Sequence, residues 1–472
     1  MGIAHTTCKT LQLRQFLHSL QNNKVETMFK VGFVRHTVLL SIICIIQWIF
    51  PSHLAAQLYF FEGFTDAAVP STWYNTPQGL GSGFAGANFA GQNLIVLGGR
   101  HAVVNGAMLL NGGTINIQAG AQLTVVGSIN GGGNVIVNAG GTLRIEGLGN
   151  IVGVTGITYN PGSTLYFTGT VARGLTPGAI ELPIGGVAAN IIFHNTATTG
   201  VTLTNFVGLP LNGQVTVSSS TLRLDNSTLT VNSTFAFQSN GICELLNGAP
   251  GLTFNNSVDV VNGTFTASTG VGSLTFAGTG ALTGGLRVTT GASAGTSLQN
   301  LTINRGGIFA IGASFGINNL TLSAVGSTLT VPTGQILTLY SNINTVAGSS
   351  LNIVGTMIYT NGLGAVNLNG STIVNGTLQV EAAAFGGTGT ISVQDAGRLR
   401  TSFTINAPVQ YVSSNAILEY FGTNIILPNA PPSTELNTTM DGSVVVAMSG
   451  AGQVQLNGTY TFRGNLSITP GG

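Results

Sequence analysis

The chain has very little charge. Lys and Arg number 14 and Asp and Glu 13 among 472 residues, or 6%, against about 25% in an ordinary soluble domain. A net charge of +1 supplies no basic footprint, which excludes nucleic acid as a partner. Cysteine is scarce as well, and the 3 present cannot build a disulfide scaffold. Aromatic residues are only 7%. No segment carries a 3.6-residue apolar period, which removes helical repeats. From residue 58 onward lysine is missing altogether, and nine Arg face twelve acids, a net of 9 − 12 = −3.

What the chain does contain is glycine (69), asparagine (42) and short runs of Val, Ile and Leu, with 43% hydrophobic residues overall. Much apolar content with little charge is the reverse of a disordered chain. The glycines do not recur at every third position, so collagen is excluded. The composition is that of an all-β protein.

Residues 1–57 read as a separate device. Val38 to Phe50 is a 13-residue apolar run, too short for a bilayer span of about 20 residues and of the length of a signal-peptide core. Lys30 and Arg35 precede it, Pro51 breaks it, and Ala55-Ala56-Gln57 offers a cleavage site. A signal peptide over 1–57 is therefore expected, with Met28 as the expected true start. Its removal takes Cys8 and Cys44 with it, leaves Cys243 alone, and leaves no segment that spans a membrane. Residues 58–90 are expected to form an N-terminal cap or linker. Residues 91–472 are expected to form a β-solenoid domain. The end at Thr469-Pro-Gly-Gly472 shows no cap, so the sequence is expected to continue beyond it.

The repeat is plainest between residues 114 and 169. Thr114–Gly127, Asn134–Gly147 and Gly156–Gly169 align, with Gly120, Gly140 and Gly162 in one column and Leu123, Leu143 and Leu165 in another. Looser copies are Leu329, Val331, Gly334, Leu337 and Leu339, then Ile343, Gly348, Leu351, Ile353 and Gly355, and then Ile391, Val393 and Leu399 with Gly397 displaced by one. Alternating apolar residues make a short strand with one buried face. The glycine between two such strands turns the chain, because it tolerates positive φ. One unit cannot bury its apolar face alone, but stacked units share a core. The predicted fold is a right-handed parallel β-helix (β-solenoid) with irregular repeats of about 20 residues. Over 91–472 that gives about 19 coils and, at about 4.8 Å per coil, a rod of about 90 Å. Asn-Gly occurs eleven times, as at Asn105, Asn130, Asn212, Asn262, Asn361 and Asn457. In hairpins this pair marks a tight turn; the parallel register favours corners, where Asn side chains of successive coils stack. An outer-membrane barrel is the structural rival, but it needs aromatic girdles and a charged lumen, and only Trp73 remains after residue 57.

Trp73-Tyr-Asn-Thr-Pro77, Gly86-Ala-Asn-Phe89 and Asn93 to Val104, with its Gly-Arg-His, resemble the opening of large surface proteins that Gram-negative bacteria export by type IX secretion. Asn300-Leu-Thr-Ile-Asn304 and Asn318-Asn-Leu-Thr-Leu322 resemble lines of their repeats. The resemblance implies an adhesin-like structural role at the cell surface or in the medium, and a C-terminal sorting domain that this sequence lacks.

The sequence offers little chemistry. β-Helix lyases and hydrolases need clustered carboxylates, or carboxylates with calcium. The best set is Asp225, Glu244 and Asp259, at steps of 244 − 225 = 19 and 259 − 244 = 15, near enough to one coil to stack on one face. They are read as isolated surface or turn acids. His101 and His194 are too far apart for an evident metal site and are read as surface or turn residues. Cys243 is read as a small core residue. Gly-x-Gly strings hold phosphate only ahead of a helix. The Asn-x-Ser/Thr sites at Asn226, Asn232 and Asn437 are read as turn composition. No catalytic residue, cofactor or metal ligand is assigned. The expected partners are carbohydrate or a protein of a host or neighbouring cell, contacted by an uncharged Asn/Thr/Ser face. The alternative is a polysaccharide lyase or hydrolase.

Overall fold

The computed structural model describes residues 57–60, 66–76, 86, 89–183, 186–267, 269–360, 364–381, 385–423, 425–427, 436, 439–449, 453–456 and 461–469. All belong to the unit Ala56–Gly472. The expected signal peptide up to Ala56, the start at Met28, Asn361, Asn437, Asn457 and the end at Gly472 lie outside them.

Short strands follow one another round a coil and then repeat one level on. Thr114–Ile117, Gln122–Val125 and Ser128–Asn130 form one coil, and Asn134–Val137, Thr142–Glu146 and Asn150–Ile151 form the next. Each strand pairs in parallel with its equivalent in the neighbouring coil, so Leu123 lies beside Leu143 and Leu143 beside Leu165. All three leucines are fully buried, each worth about 1.5–3 kcal/mol of apolar burial. The shared interior expected from the sequence is therefore present, and the fold is a parallel β-solenoid of about 16 turns. Gly120, Gly140 and Gly162 hold φ values of 72°, 74° and 81° at the corner. The Gly120 N–H donates to the Gly140 carbonyl at 2.9 Å, and the Gly140 N–H to that of Gly162 at 3.0 Å.

The turns are fewer than the sequence led us to expect because the coils are not uniform. Leu165 pairs with Ile191, a step of 191 − 165 = 26, since the chain between Leu175 and Asn190 holds no described strand. A second detour between Val288–Thr290 and Leu298–Ile303 contains the 3-10 turn Ala294–Thr296. At Phe315–Leu322 one long strand turns a corner. Its first half pairs with Ile336–Leu339 and its second with Ile343–Thr345.

Asparagines of successive coils do stack, but of Asn116, Asn138, Asn160, Asn212, Asn232 and Asn255 only Asn212 precedes a glycine, and Asn116 lies on a strand. Asn160 Nδ2 donates to Asn138 Oδ1 at 2.9 Å, and Asn138 donates in turn to Asn116. Asn255 donates to Asn232 and Asn232 to Asn212, both at 2.6 Å. Each neutral bond of this kind contributes about 1 kcal/mol net. Among the described residues the only antiparallel strand pair is Gln57–Phe60 with Trp73–Tyr74. Gln57–Phe60 also lies parallel to Asn93–Val96, so these strands cover the edge of the first sheet. Trp73 is fully buried between Phe60 and Phe89.

Midway along the solenoid the interior fills with phenylalanine. Phe235, Phe237, Phe254 and Phe265 meet with ring centroids 5.0–6.1 Å apart. Arg305 closes a nearby corner. It is buried with no acidic partner among the described residues, donates to the carbonyls of Asn256 and Ala277, and lies over Phe276 and Phe309.

Candidate binding face

The three acids do not converge. Glu244 lies on Gly241–Leu245 and pairs with Arg223 of the neighbouring coil at 2.7 Å. Asp225 ends the strand that holds Arg223 and accepts a bond from Asn247 at 3.2 Å. Asp259 belongs to a different sheet and caps its own turn through the Val261 N–H. The spacing of about one coil hid a corner, which sends the third carboxylate to another face.

The histidines sit on strands and not in turns. His101 opens His101–Val104, and its Nε2 lies 2.7 Å from Thr124 Oγ1 and 2.9 Å from Gln122 Nε2. Burial and then the Arg144 charge hold its pKa below the ordinary value, with Glu146 opposing. His194 lies on Asn190–Asn195, its ring 6.0 Å from that of Tyr166. Among the described residues no group of three His, Cys, Asp or Glu is placed to hold a metal ion. Cys243 is fully buried between Leu222 and Phe265 in one core row. Burial, and secondarily Glu244, raise its pKa well above the ordinary thiol range, so the thiolate needed for reaction is suppressed. Asn226 sits at φ 48° and donates to Asn205 at 2.9 Å, and Asn232 belongs to a corner ladder.

What the fold does assemble is an uncharged array. Thr230, Thr253, Thr275, Thr302 and Thr321 pair in sequence across five coils of one sheet, and Asn344 and Asn367 continue the row. Equivalent atoms in such a row lie about 4.8 Å apart. The row faces outward because its neighbours Leu229, Leu252, Leu274, Leu301 and Leu320 point into the core. All five threonines are partly exposed. Among the described residues none of their hydroxyls forms a hydrogen bond within the protein.

The adjacent outward row is Thr228, Gly251, Ser273, Asn300, Asn319 and Asn342. Its amides are already linked. Asn342 donates to Asn319 at 2.7 Å, Asn319 to Asn300 at 2.9 Å, and Asn300 to Ser273 at 2.8 Å. One row is thus tied to itself while the other is open, and neither contains a charged or aromatic side chain. This is the Asn/Thr/Ser face expected from composition. Its register was hidden because the steps from one threonine of the row to the next are uneven.

No known family and no curated protein matches this sequence. Among solved structures, the crystal structure of a hyper-glycosylated TibA fragment modified by TibC is similar at 14% sequence identity. That match covers 78% of this chain and 93% of the fragment, with a TM-score of 0.27. Among the described residues no helix is long and apolar enough to cross a membrane.

Proposed function

We propose that this protein is an exported, non-enzymatic β-solenoid, a structural or adhesin-like element comparable to the surface proteins of type IX secretion. The observation that carries the reading is the row of five unbonded threonine hydroxyls. Buried or ladder-bound polar groups hold the fold together. A regular line of hydroxyls that bonds to nothing in the protein is free for a partner, and its lack of charge suits a neutral polar surface such as a glycan coat or a protein of a neighbouring cell. The dispersal of Asp225, Glu244 and Asp259 supports this role over that of a lyase or hydrolase.

The test replaces Thr253, Thr275 and Thr302 together by valine, which keeps the branched shape and removes the hydroxyl. Retention of the full chain on immobilised glycans and on cells is then measured beside the unaltered protein. At about 1 kcal/mol per lost bond, retention is expected to fall by at least about tenfold. Unchanged retention would refute the face. Cleavage of acidic glycans by the unaltered protein, lost when Asp225, Glu244 and Asp259 are replaced, would favour the enzyme instead.

A further inference from the structure

A second polar site lies on another sheet, and its lining carries a single positive charge. Here a groove of ≈ 370 Å³ is lined chiefly by Ile242, Val261, Thr264, Thr266, Arg287 and Thr289. Its origin is local. Gly241 and Gly263 pair across neighbouring coils, and a Cβ on Gly263 would stand 2.1 Å from the Phe237 ring. The backbone has therefore sunk against that ring. The corner residues Asn240, Val261 and Asn262 also line the depression. The six-stranded sheet ends at Val288–Thr290, and the next coil meets this edge only through the Leu286–Ile311 bridge and the Gly316 N–H bond to Thr290 among the described residues.

The lining has three kinds of group. Ile242 and Val261 are 39% and 46% exposed and give an apolar contact. Thr264, Thr266, Thr289, Asn240 and Asn262 are polar and neutral. Among the described residues, none of these five side chains is bonded within the protein. Arg287 is exposed and likewise has no acidic partner among the described residues. The row of Thr289 and Thr266 continues to Glu244 and Arg223, whose charges neutralise each other at 2.7 Å.

We infer that this groove binds one carboxylated sugar residue. The inference deepens the carbohydrate side of the function proposed above and rests on it. A pyranose ring has an apolar C–H side, which fits Ile242 and Val261. Its hydroxyls match the Thr and Asn side chains. Its carboxylate takes the guanidinium in the paired geometry that favours Arg. The volume lies within the usual range of about 300–1,000 Å³ for ligand pockets. One cation, in a region of net charge 9 − 12 = −3 from residue 58 onward, selects a single anionic group. A polyanion would need a run of cations.

The test titrates the full chain with the methyl glycosides of glucuronic acid, N-acetylneuraminic acid and glucose, and with inorganic sulfate. At least one carboxylated glycoside is expected to bind about tenfold or more tighter than the glucoside and than sulfate. Which of the two binds separates a uronate from a sialate source. Arg287→Gln should abolish that preference, Arg287→Lys should restore part of it, and Thr266→Val should weaken binding of the preferred acid. Circular dichroism unchanged from the parent shows that each variant keeps its fold. Equal binding of acidic and neutral glycosides, a preference that survives Arg287→Gln, or sulfate binding as tightly as either acid would each overturn the inference. Glycan retention that still depends on the threonine row would leave the broader reading standing in any of those cases.

Discussion

Phe265→Ala will destabilise the middle of the solenoid by about 3–5 kcal/mol, the range for losing a buried aromatic ring from a packed core. Phe265 is fully buried, and its ring centroid lies 5.0 Å from that of Phe237, 5.9 Å from Phe254 and 6.1 Å from Phe235. Removing it leaves a cavity bounded by three rings of the preceding coil, Phe235 and Phe237 on one strand and Phe254 on another. In stacked repeats each unit leans only on its neighbours, so the loss should be local. Amide hydrogen exchange should speed up in Phe235–Gln238, Gly251–Phe254 and Gly263–Ala267, and stay at parental rates in Thr356–Tyr359 and Thr377–Val380. Uniform acceleration along the chain, or none, would contradict the account.

The second large effect is expected at Glu181. The chain between Leu175 and Asn190 takes the place of a strand and needs another anchor. Arg173 donates to Glu181 at 2.8 Å, and the two side chains are only 11% and 8% exposed. Arg173 also donates to the Gly149 carbonyl and lies over Phe167, while Tyr159 donates to the Glu181 backbone carbonyl at 2.6 Å. Burial pulls the Arg173 pKa down, and the Glu181 carboxylate opposes that pull. Glu181→Ala would strand the cation, and breaking a buried pair from one side costs about 3–5 kcal/mol. Replacing both partners, with Arg173→Met and Glu181→Leu, should recover most of the loss, because no charge is left buried. Urea unfolding together with exchange at residues 173–183 measures both. A Glu181→Ala cost below about 1 kcal/mol would mean that the pair is screened by water and anchors nothing.

Much of this architecture was legible in the residues, and the limit is physical. Leu123, Leu143 and Leu165 recur at almost constant steps because no detour separates their coils, so pattern and ladder coincide. In the looser copies Leu329, Val331, Leu337, Leu339, Leu351 and Ile353 are core residues as expected, but the columns differ, since the ladder sets Leu351 beside Leu329 and Leu337 beside Met357. Near Ile391 the expected glycine stands one place late. There Ala396 takes the left-handed turn at φ 57°, and Gly397 lies where a Cβ would come within 2.1 Å of the Val374 carbonyl. The glycine serves a close approach at that corner and not the turn.

The candidate surfaces were harder to read. The uncharged face could be expected from composition, but detours at the bends scatter its threonines in sequence while the ladder keeps them in line. The Arg287 groove leaves no pattern at all. It exists because two glycines sink against Phe237, and contact between an interior ring and a backbone one coil away has no signature in local spacing. The separation of Glu244 from Asp259 has another cause: a corner between two strands changes the sheet without changing the count.

The detour after Leu175 also bears on how such a chain can vary. Extra residues placed at a bend lie outside the ladder, and Ile191 still settles beside Leu165 as if nothing had been added. One extra residue inside a strand would turn every later side chain on that strand inside out. Tolerance to insertion is thus written into the bends and denied to the rungs. Whole coils remain the natural unit of gain and loss, and the number of levels can drift between descendants while each level stays the same.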